Sequence, residues 1–154
     1  MGSNLGNSKD QLNEACQHIS QRIGDIENFS SLYQTAAWGK TDQPDFINQV
    51  ILVDTAMDAP KLMECILKIE EEMGRHRTER NAPRNIDIDI LFFNHTVFDQ
   101  PHLHIPHPRL PDRRFVLVPM NELAPSLIHP VLHKSIHQLL RVCSDPLAVK
   151  KIEG

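Results

Sequence analysis

Residues 74–93, GRHRTERNAPRNIDIDILFF, contain the residue types that phosphate chemistry requires. Asp87 and Asp89 alternate with isoleucines, and alternation with a period of two is typical of a β-strand. Successive side chains on a strand point to opposite faces, so both aspartates share one face, roughly 7 Å apart along the backbone. Two such carboxylates can share hard cations such as Mg²⁺. Arginines beside a magnesium site stabilise a polyphosphate during phosphoryl transfer. Four of them precede the strand: Arg75, Arg77, Arg80 and Arg84.

Each half of this pattern also has a simpler interpretation. The strand could be half-buried with its polar face in water, and the arginines could form a solvated surface. The combination favours a functional site, because aspartate is disfavoured in strands and here occurs twice on one face. Pro83 interrupts regular structure just before the strand and constrains how Arg84 enters it.

Length and composition predict one globular domain, residues 1–154, with 40% hydrophobic and 23% charged residues. The net charge of -4 argues against a general nucleic-acid-binding protein, which is usually basic. The sequence has no apolar run of roughly 20 residues and no amino-terminal signal segment, which predicts a cytoplasmic protein without a membrane partner. The cysteines, Cys16, Cys65 and Cys143, are widely spaced and predict reduced thiols.

Three closely spaced histidines raise a zinc alternative. They are His102, His104 and His107, in a proline-rich setting without cysteine partners. Zinc at this position stays the minority interpretation.

Helical and strand periodicities predict the elements that position the aspartates. Ser8 is expected to cap the first helix and Gly24 to end it, whereas Pro60 fits the first turn of the second and Gly74 caps its end. The predicted order is a helix at 9–23, strands at 26–34 and 46–55, a helix from about 60 to 73, the aspartate-bearing strand up to 93, and short helices at 113–123 and 135–142.

The chain after the aspartate-bearing strand is expected to turn back on itself. Asn94-His95 predicts a tight turn, with Val97-Phe98 as a short hairpin partner. Residues 99–112 contain four prolines and are expected to form an irregular loop.

This order predicts an α+β fold, ferredoxin-like, with a mostly antiparallel sheet and helices packed on it. The pattern requires one strand ahead of the first helix, and only Met1 precedes the turn-rich GSNLG sequence at 2–6. We therefore expect that strand to be missing or truncated. It would lie in the middle of the sheet, so we also expect an upstream segment, either a short strand or a neighbouring enzyme domain.

From residue 2 to about residue 140 the chain resembles the 6-hydroxymethyl-7,8-dihydropterin pyrophosphokinase family. Four motifs carry the resemblance: GSNLG at 2–6, YQTAAWGKTDQPDFIN at 33–48, GRHRTERNAPRNIDIDILFF at 74–93 and IPHPRLPDRRFVLVPMNELAP at 105–125. It implies transfer of pyrophosphate from ATP to the hydroxymethyl group of the pterin, with release of AMP, in folate biosynthesis. Loops at 35–45 and 75–83 would close over ATP. The protein would be a monomer, or joined or adjacent to another folate enzyme.

The resemblance also implies roles for individual residues. Asp87 and Asp89 would hold two Mg²⁺ ions, while Arg75, Arg77 and Arg84 would offset charge on the phosphates. The pterin pocket would consist of Thr35, Ala36, Trp38, Phe46, Asn48 and Phe115, and the nucleotide would be bound by Glu70, Arg84, Ile90, His107 and Arg113.

The pterin assignment agrees with elementary chemistry. A planar heteroaromatic ring gains from stacking between two aromatic side chains, and its amide-like edge needs hydrogen bonds. Phe46 and Asn48 are two residues apart on a predicted strand, so one face supplies both a ring and an amide. Phe46 taken alone could be an ordinary core aromatic, whereas an inward-facing Asn48 needs a hydrogen-bond partner.

Some positions depart from the family pattern. Asn81 stands where a tryptophan is frequent, His102 and His104 where arginine and threonine are familiar, and Pro108 where tyrosine is frequent. These changes put the closure of the ATP loop and two nucleotide contacts in doubt. Arg80, beside Asn81, is only a candidate.

Three functions of other classes remain open at the level of sequence. A magnesium-dependent phosphohydrolase, nuclease or other phosphotransferase would share the aspartates and arginines. A non-catalytic RNA-binding module would expose a basic face with aromatic residues. A purely structural subunit would use neither feature.

Overall fold

A computed structural model describes residues 1–4, 7–36, 44–74 and 86–152. The described chain is a mixed α/β structure with antiparallel sheets and four α-helices. The elements are β1 (Gly2–Ser3), α1 (Ser8–Arg22), β2 (Gly24–Phe29), β3 (Tyr33–Thr35), β4 (Phe46–Asn48), β5 (Ile51–Thr55), α2 (Ala59–Glu72), β6 (Phe98–Gln100), β7 (Leu103–Ile105), α3 (Arg114–Leu123), α4 (Ile136–Val142) and β8 (Lys150–Lys151). The main sheet has the strand order β1-β4-β3-β8, and two further pairs are β2-β5 and β6-β7.

The first strand is present but short. In β1, Gly2 and Ser3 pair antiparallel with Asn48 and Ile47 of β4. On its other side, Gly2 exchanges two backbone hydrogen bonds with Asp87, at 2.9 and 2.8 Å. The expected strand is therefore present as two residues, and it lies between β4 and the aspartate segment.

Each of the two long predicted strands, 26–34 and 46–55, is divided in two. Between the halves, the buried Ser30 donates its N–H to the carbonyl of Val50, while the Val50 N–H donates to the Ser30 hydroxyl oxygen. A side-chain oxygen thus replaces a backbone carbonyl as acceptor, which interrupts the ladder at this point. Hydrophobic alternation does not reveal such a change of hydrogen-bond acceptor, so the predicted strands were too long.

The aspartate segment, residues 86–93, alternates between buried and more exposed side chains as predicted, but it does not form a continuous ladder of backbone hydrogen bonds with a neighbouring strand. Ile86, Ile88 and Ile90 are buried, whereas Asp87 is half-buried and Asp89 is exposed. In residues 86–93 the structure pairs only Asp87 with a strand, because the neighbouring β1 is two residues long. The prediction of two faces is confirmed, and that of a strand reaching residue 93 is wrong.

Capping side chains fix where the first two helices begin. The Asn7 side chain accepts from the Asp10 N–H and caps α1, so the cap lies one residue before the predicted Ser8. In α2, Asp58 accepts from the Lys61 N–H, and a proline occupies the first turn as predicted. Gly74 follows this helix with φ of 85°, a conformation that favours glycine.

Residues 94–112 differ from the prediction. The tight turn is confirmed, since Asn94 has φ of 53° and the Thr96 N–H donates to the Phe93 carbonyl. Phe98, however, pairs with Ile105 in the hairpin β6-β7. The rest of this hairpin lies in residues 99–112, which were predicted to form an irregular loop. The prolines permit this hairpin because Pro101 lies in its turn, outside the ladder.

Two apolar clusters form the core. In the first, the buried isoleucines of the aspartate segment pack with α1, α2 and β7. In the second, α3 and α4 pack around Leu110 and Val50. The aspartate segment is therefore anchored by its apolar face, which leaves its polar face to the cleft.

All three cysteines are free thiols, as predicted. Among the described residues, none of the helices has the length and apolarity that a membrane crossing requires.

His129 is expected to make the stability of the fold depend on pH. This buried side chain accepts hydrogen bonds at Nδ1 from the N–H groups of Val131 and Leu132, at 3.1 and 3.0 Å. Burial lowers the pKa of His129 below its usual 6.5, and His133 lowers it further. The neutral form is thus favoured in the folded state, so its stabilisation is present above pH 6.5 and is lost as pH falls through the lowered pKa.

We expect the melting temperature to fall on acidification from pH 7 to pH 5, and to fall less in His129→Gln. At neutral pH this variant should lose about 1–2 kcal/mol through its weaker hydrogen bonds. Thermal melts across pH measure both effects, with the exposed His137→Gln as control. Equal pH slopes for wild type and His129→Gln would contradict the assignment.

Candidate active site

One cleft, with a cavity volume of about 120 Å³, gathers side chains from four distant parts of the chain. Eight of the residues predicted from the sequence line it: Thr35, Ala36, Phe46, Asn48, Asp87, Asp89, Arg113 and Phe115. The cleft thus joins the predicted pterin pocket to the predicted metal ligands.

Asn48 is held at the end of β4 by its neighbour on β3. Asn48 is buried, and its Nδ2 donates to the Thr35 hydroxyl at 3.2 Å, also in a buried position. The polar atoms of a buried amide need hydrogen-bond partners. With Nδ2 bound to Thr35, the amide has a fixed orientation from which it can read a polar ligand edge.

Gly2 sets the space available to that amide. A Cβ added to Gly2 would lie 2.5 Å from Oδ1 of Asn48 and 3.7 Å from a ring carbon of Phe46. The first distance is far below van der Waals contact, so any larger residue at position 2 displaces Asn48. Gly2 therefore contributes to the cleft by its lack of a side chain.

Two phenylalanines reach the cleft from different elements. Phe46 begins β4 and Phe115 lies in the first turn of α3; both are half-buried. The Arg113 guanidinium carbon lies 5.5 Å from the centroid of the Phe115 ring, a cation–π arrangement. Two aromatic rings that line one cleft suit a flat aromatic ligand, which gains from stacking.

The carboxylates of Asp87 and Asp89 are presented by a firmly held backbone. Asp87 is paired through its backbone with Gly2, and the intervening Ile88 donates its N–H to Oε2 of Glu70 at 2.8 Å. Glu70 is itself buried. The segment is thus bound on both sides, which limits the motion of the two carboxylates that line the cleft.

His107 lies near the carboxylates and is predominantly neutral at pH 7. Burial lowers the pKa of His107 below its usual 6.5; the Asp89 carboxylate opposes this shift and Arg113 reinforces it. Its Nδ1 accepts from the Arg109 N–H at 3.2 Å, and its own backbone N–H donates to the Leu91 carbonyl. In the neutral ring the proton is then on Nε2, which can donate to a phosphate oxygen.

The carboxyl-terminal half of α3 is attached to the start of β3. Glu122 accepts from the Ser31 N–H and from the Tyr33 hydroxyl. Burial, reinforced by the Glu122 carboxylate, raises the pKa of Tyr33 to about 12. Burial alone would raise the pKa of Glu122, but the hydrogen bonds from Tyr33 and Ser31 lower it overall. Tyr33 therefore remains a donor over the whole physiological range.

Other predicted site residues lie elsewhere. Glu70 supports the aspartate segment from behind, and Ile90 is buried in the core with Ile86 and Ile88; neither is among the residues that line the cleft. Four further predictions lie outside the described residues: Trp38, Arg75, Arg77 and Arg84.

The cleft also contains residues that sequence reasoning missed. For Gly2 a signal existed, since a glycine next to a predicted strand can mark a close backbone approach. The other cleft residues of this kind are Met1, Gln49, Val50, Leu91 and Val116. No local pattern distinguishes these five from ordinary strand and helix residues.

Zinc finds no support at the three histidines. Within the described ranges, which include all three, no group of three or more His, Cys, Asp or Glu side chains is placed to hold a metal ion. His104 instead contacts Asp99 across the β6-β7 hairpin, at 3.0 Å.

Comparison with known proteins gives a consistent result. The sequence model of the 7,8-dihydro-6-hydroxymethylpterin-pyrophosphokinase family matches residues 1–125. A 2-amino-4-hydroxy-6-hydroxymethyldihydropteridine pyrophosphokinase of Synechocystis is 37% identical over 141 residues, which cover 91% of this chain and 72% of the relative. The Haemophilus influenzae enzyme of the same name is also 37% identical, over 97% of this chain and 94% of its own length.

Longer proteins contain a similar region. The Folic acid synthesis protein fol1 of Schizosaccharomyces pombe is 36% identical over 90% of this chain, which spans only 19% of that protein. Among solved structures, Plasmodium falciparum HPPK-DHPS matches 92% of this chain with a TM-score of 0.73 and 20% identity. This chain spans 41% of that structure, and at this identity the likeness concerns the fold alone.

The family match extends over most of the chain and over the cleft residues from Thr35 to Phe115. The family transfers a pyrophosphoryl group from ATP to hydroxymethyldihydropterin in folate biosynthesis, so a phosphohydrolase, an RNA-binding module and a structural subunit are not favoured. The chain belongs to the 7,8-dihydro-6-hydroxymethylpterin-pyrophosphokinase family.

Proposed function

We propose that the cleft is where this chain binds hydroxymethyldihydropterin and transfers pyrophosphate to it. The observation that carries the proposal is that Phe46, Phe115 and Asn48 line the same cleft as Asp87 and Asp89. The pterin ring would stack between the two phenylalanines, and the Asn48 amide would bind its polar edge. Thr35 holds that amide, and Ala36 lies beside it in the lining. Trp38 is proposed as part of the same pocket.

The donor set of the two aspartates fits magnesium. Mg²⁺ prefers oxygen ligands and is commonly bound by one or two carboxylates, with substrate phosphates and water completing its coordination. The two carboxylates that line the cleft agree with that preference. We propose that Asp87 and Asp89 hold two Mg²⁺ ions together with ATP. Bound there, magnesium neutralises phosphate charge and polarises the oxygens that react.

The protein side chains around the aspartates would bind and orient the nucleotide. His107 can donate from Nε2, and the Arg113 guanidinium at the cleft supplies positive charge. Arg75, Arg77 and Arg84 are proposed to offset the charge that develops on the phosphates. Glu70 and Ile90 are proposed to contribute to nucleotide binding from the buried side of the aspartate segment, where the Glu70 carboxylate accepts from the Ile88 N–H.

The fold is proposed to be ferredoxin-like within a single domain, residues 1–154. The order of β1, α1, two divided strands, α2 and the aspartate segment supports the assignment. We propose that the chain acts as a monomer in the cytoplasm, alone or joined to another folate enzyme.

Product analysis tests the proposal. Purified protein supplied with ATP, magnesium and hydroxymethyldihydropterin should form AMP and the pterin diphosphate in equal amounts. Little AMP should form when the pterin is omitted. A phosphohydrolase would instead release nucleotide products without pterin.

Calorimetry separates binding from turnover. We expect a non-hydrolysable ATP analogue with magnesium to bind first and to strengthen subsequent pterin binding. If the protein bound no pterin under any of these conditions, the proposed function would be refuted.

A further inference from the structure

A buried carboxylate near the carboxyl end of the chain holds the first turn of α3. Asp145 has 5% relative exposure, and its Oδ2 accepts from the Arg114 N–H at 3.0 Å. Its Oδ1 accepts from the Leu147 N–H at 3.0 Å. The first N–H groups of a helix have no partner inside the helix, and a carboxylate at this end also interacts favourably with the helix dipole. Arg113, the residue at the cap position, makes no side-chain capping bond. Asp145 therefore caps α3 from a distant segment.

The Arg114 side chain strengthens the same connection. Its Nε donates to the Asp145 carbonyl at 3.1 Å, and its Nη2 donates to the Cys143 carbonyl at 3.2 Å. The backbone and the side chain of Arg114 thus both donate hydrogen bonds to residues 143–145, and the Asp145 carboxylate accepts the one that caps the helix. This reciprocal pair is partly buried, where hydrogen bonds are screened less by water.

The residues on either side of Arg114 belong to the cleft. Arg113 and Phe115 both line it, and the Arg113 guanidinium stands over the Phe115 ring. Phe115 lies in the first turn of α3, so the direction of its Cα–Cβ bond is set by how that turn is held. The opposite end of the helix is held separately by Glu122. Without Asp145, the first turn would be free to fray while the rest of the helix stayed in place.

We propose that Asp145 is a positioning residue for the pterin half of the cleft. It fixes the first turn of α3, and through it Phe115 and Arg113, without contacting substrate. The segment that contains it lies beyond residues 1–125, which match the family model, so this support is supplied by chain outside the matched region. The inference rests on the proposed stacking of the pterin against Phe115.

The test compares two caps that differ in what they support. Asp145→Ala removes the cap of α3, whereas Ser135→Ala removes the capping box of α4, where Ser135 and Gln138 bind each other's backbone N–H groups. We expect both variants to melt at lower temperature than wild type. Only Asp145→Ala should weaken pterin binding in the presence of magnesium and the ATP analogue, by roughly tenfold, because displacement of a stacking ring is felt directly by its ligand. Binding of magnesium and the analogue alone should fall less than pterin binding in Asp145→Ala, where Arg113 shifts with the turn, and should stay at the wild-type level in Ser135→Ala.

Amide hydrogen exchange gives a second readout that needs no ligand. Protection of residues 114–117 should fall in Asp145→Ala and stay at the wild-type level in Ser135→Ala. If Asp145→Ala does not fold, Asp145→Asn keeps one side-chain acceptor and should show both effects to a smaller degree.

Unchanged pterin affinity in a folded Asp145 variant, together with unchanged exchange at 114–117, would overturn the inference. Equal losses of pterin affinity in the Asp145 and Ser135 variants would also overturn it, since they would reflect general destabilisation. Wild-type protein that binds no pterin would refute the proposed function instead, and hydrogen exchange would still decide whether Asp145 orders the turn.

Discussion

Asp89→Asn should lower kcat/KM for pyrophosphoryl transfer by about 10³-fold, with magnesium and both substrates present. The substitution keeps the size of an exposed side chain that lines the cleft and removes its charge. Loss of a magnesium ligand forfeits several kcal/mol of transition-state stabilisation, and about 1.4 kcal/mol corresponds to tenfold in rate. Stability should be nearly unchanged, because Asp89 is exposed.

The measurement is a steady-state assay of AMP formation with rising magnesium, together with calorimetry of the ATP analogue. We expect weaker magnesium-dependent binding of the analogue as well as the slower reaction. Asp54→Asn is the matched control, since it removes an exposed aspartate from β5 and should leave both quantities unchanged. A rate for Asp89→Asn within tenfold of wild type at saturating magnesium would refute the metal role.

Asn48→Ala should weaken pterin binding by roughly 10- to 100-fold while binding of ATP and magnesium stays close to wild type. The buried amide is fixed by Thr35 and lines the cleft beside Gly2. Its removal leaves the polar edge of the pterin without a partner in a confined space, which costs about 1–3 kcal/mol. Titration of pterin into protein saturated with the ATP analogue measures the loss.

Gly2→Ala provides an independent route to the same effect. The added Cβ would overlap Asn48 Oδ1, so it should displace the amide and weaken pterin binding without altering any polar group. Asn13→Ala, at an exposed position of α1, is the control for loss of an amide. If pterin affinity in both Asn48→Ala and Gly2→Ala matched wild type, Asn48 could not be the group that reads the pterin edge.

Local patterns determined those parts of the fold and site that depend on near neighbours. The alternation of Asp87 and Asp89 with isoleucines correctly predicted which side chains are buried, because side-chain direction on an extended chain follows from the backbone. The spacing of Phe46 and Asn48 placed a ring and an amide at the same cleft for the same reason. Helices α1 and α2 were predicted to within about two residues, because their caps and apolar periodicity are local signals.

Interactions between distant residues explain the errors. Ser30 divides two predicted strands by bonding to Val50, twenty residues away, and no pattern near either residue signals that exchange. Phe98 pairs with Ile105 rather than with the aspartate segment because a hairpin with a proline in its turn was available. Competition between alternative strand partners is settled by packing, which hydrophobic alternation does not encode.

The sequence by itself determined the chemistry of this protein: a carboxylate pair on one face of an extended segment, an aromatic and an amide on another, and motifs that identify the family. The tertiary structure alone decided that these groups share one cleft, with Gly2 leaving room for Asn48 and Phe115 arriving on a helix whose first turn is capped by Asp145. The physical reason is the distance along the chain over which each feature is determined. Side-chain periodicity is set by the backbone within a few residues, whereas the cleft and the helix beside it depend on backbone pairing and hydrogen bonds that join positions 31 to 91 residues apart.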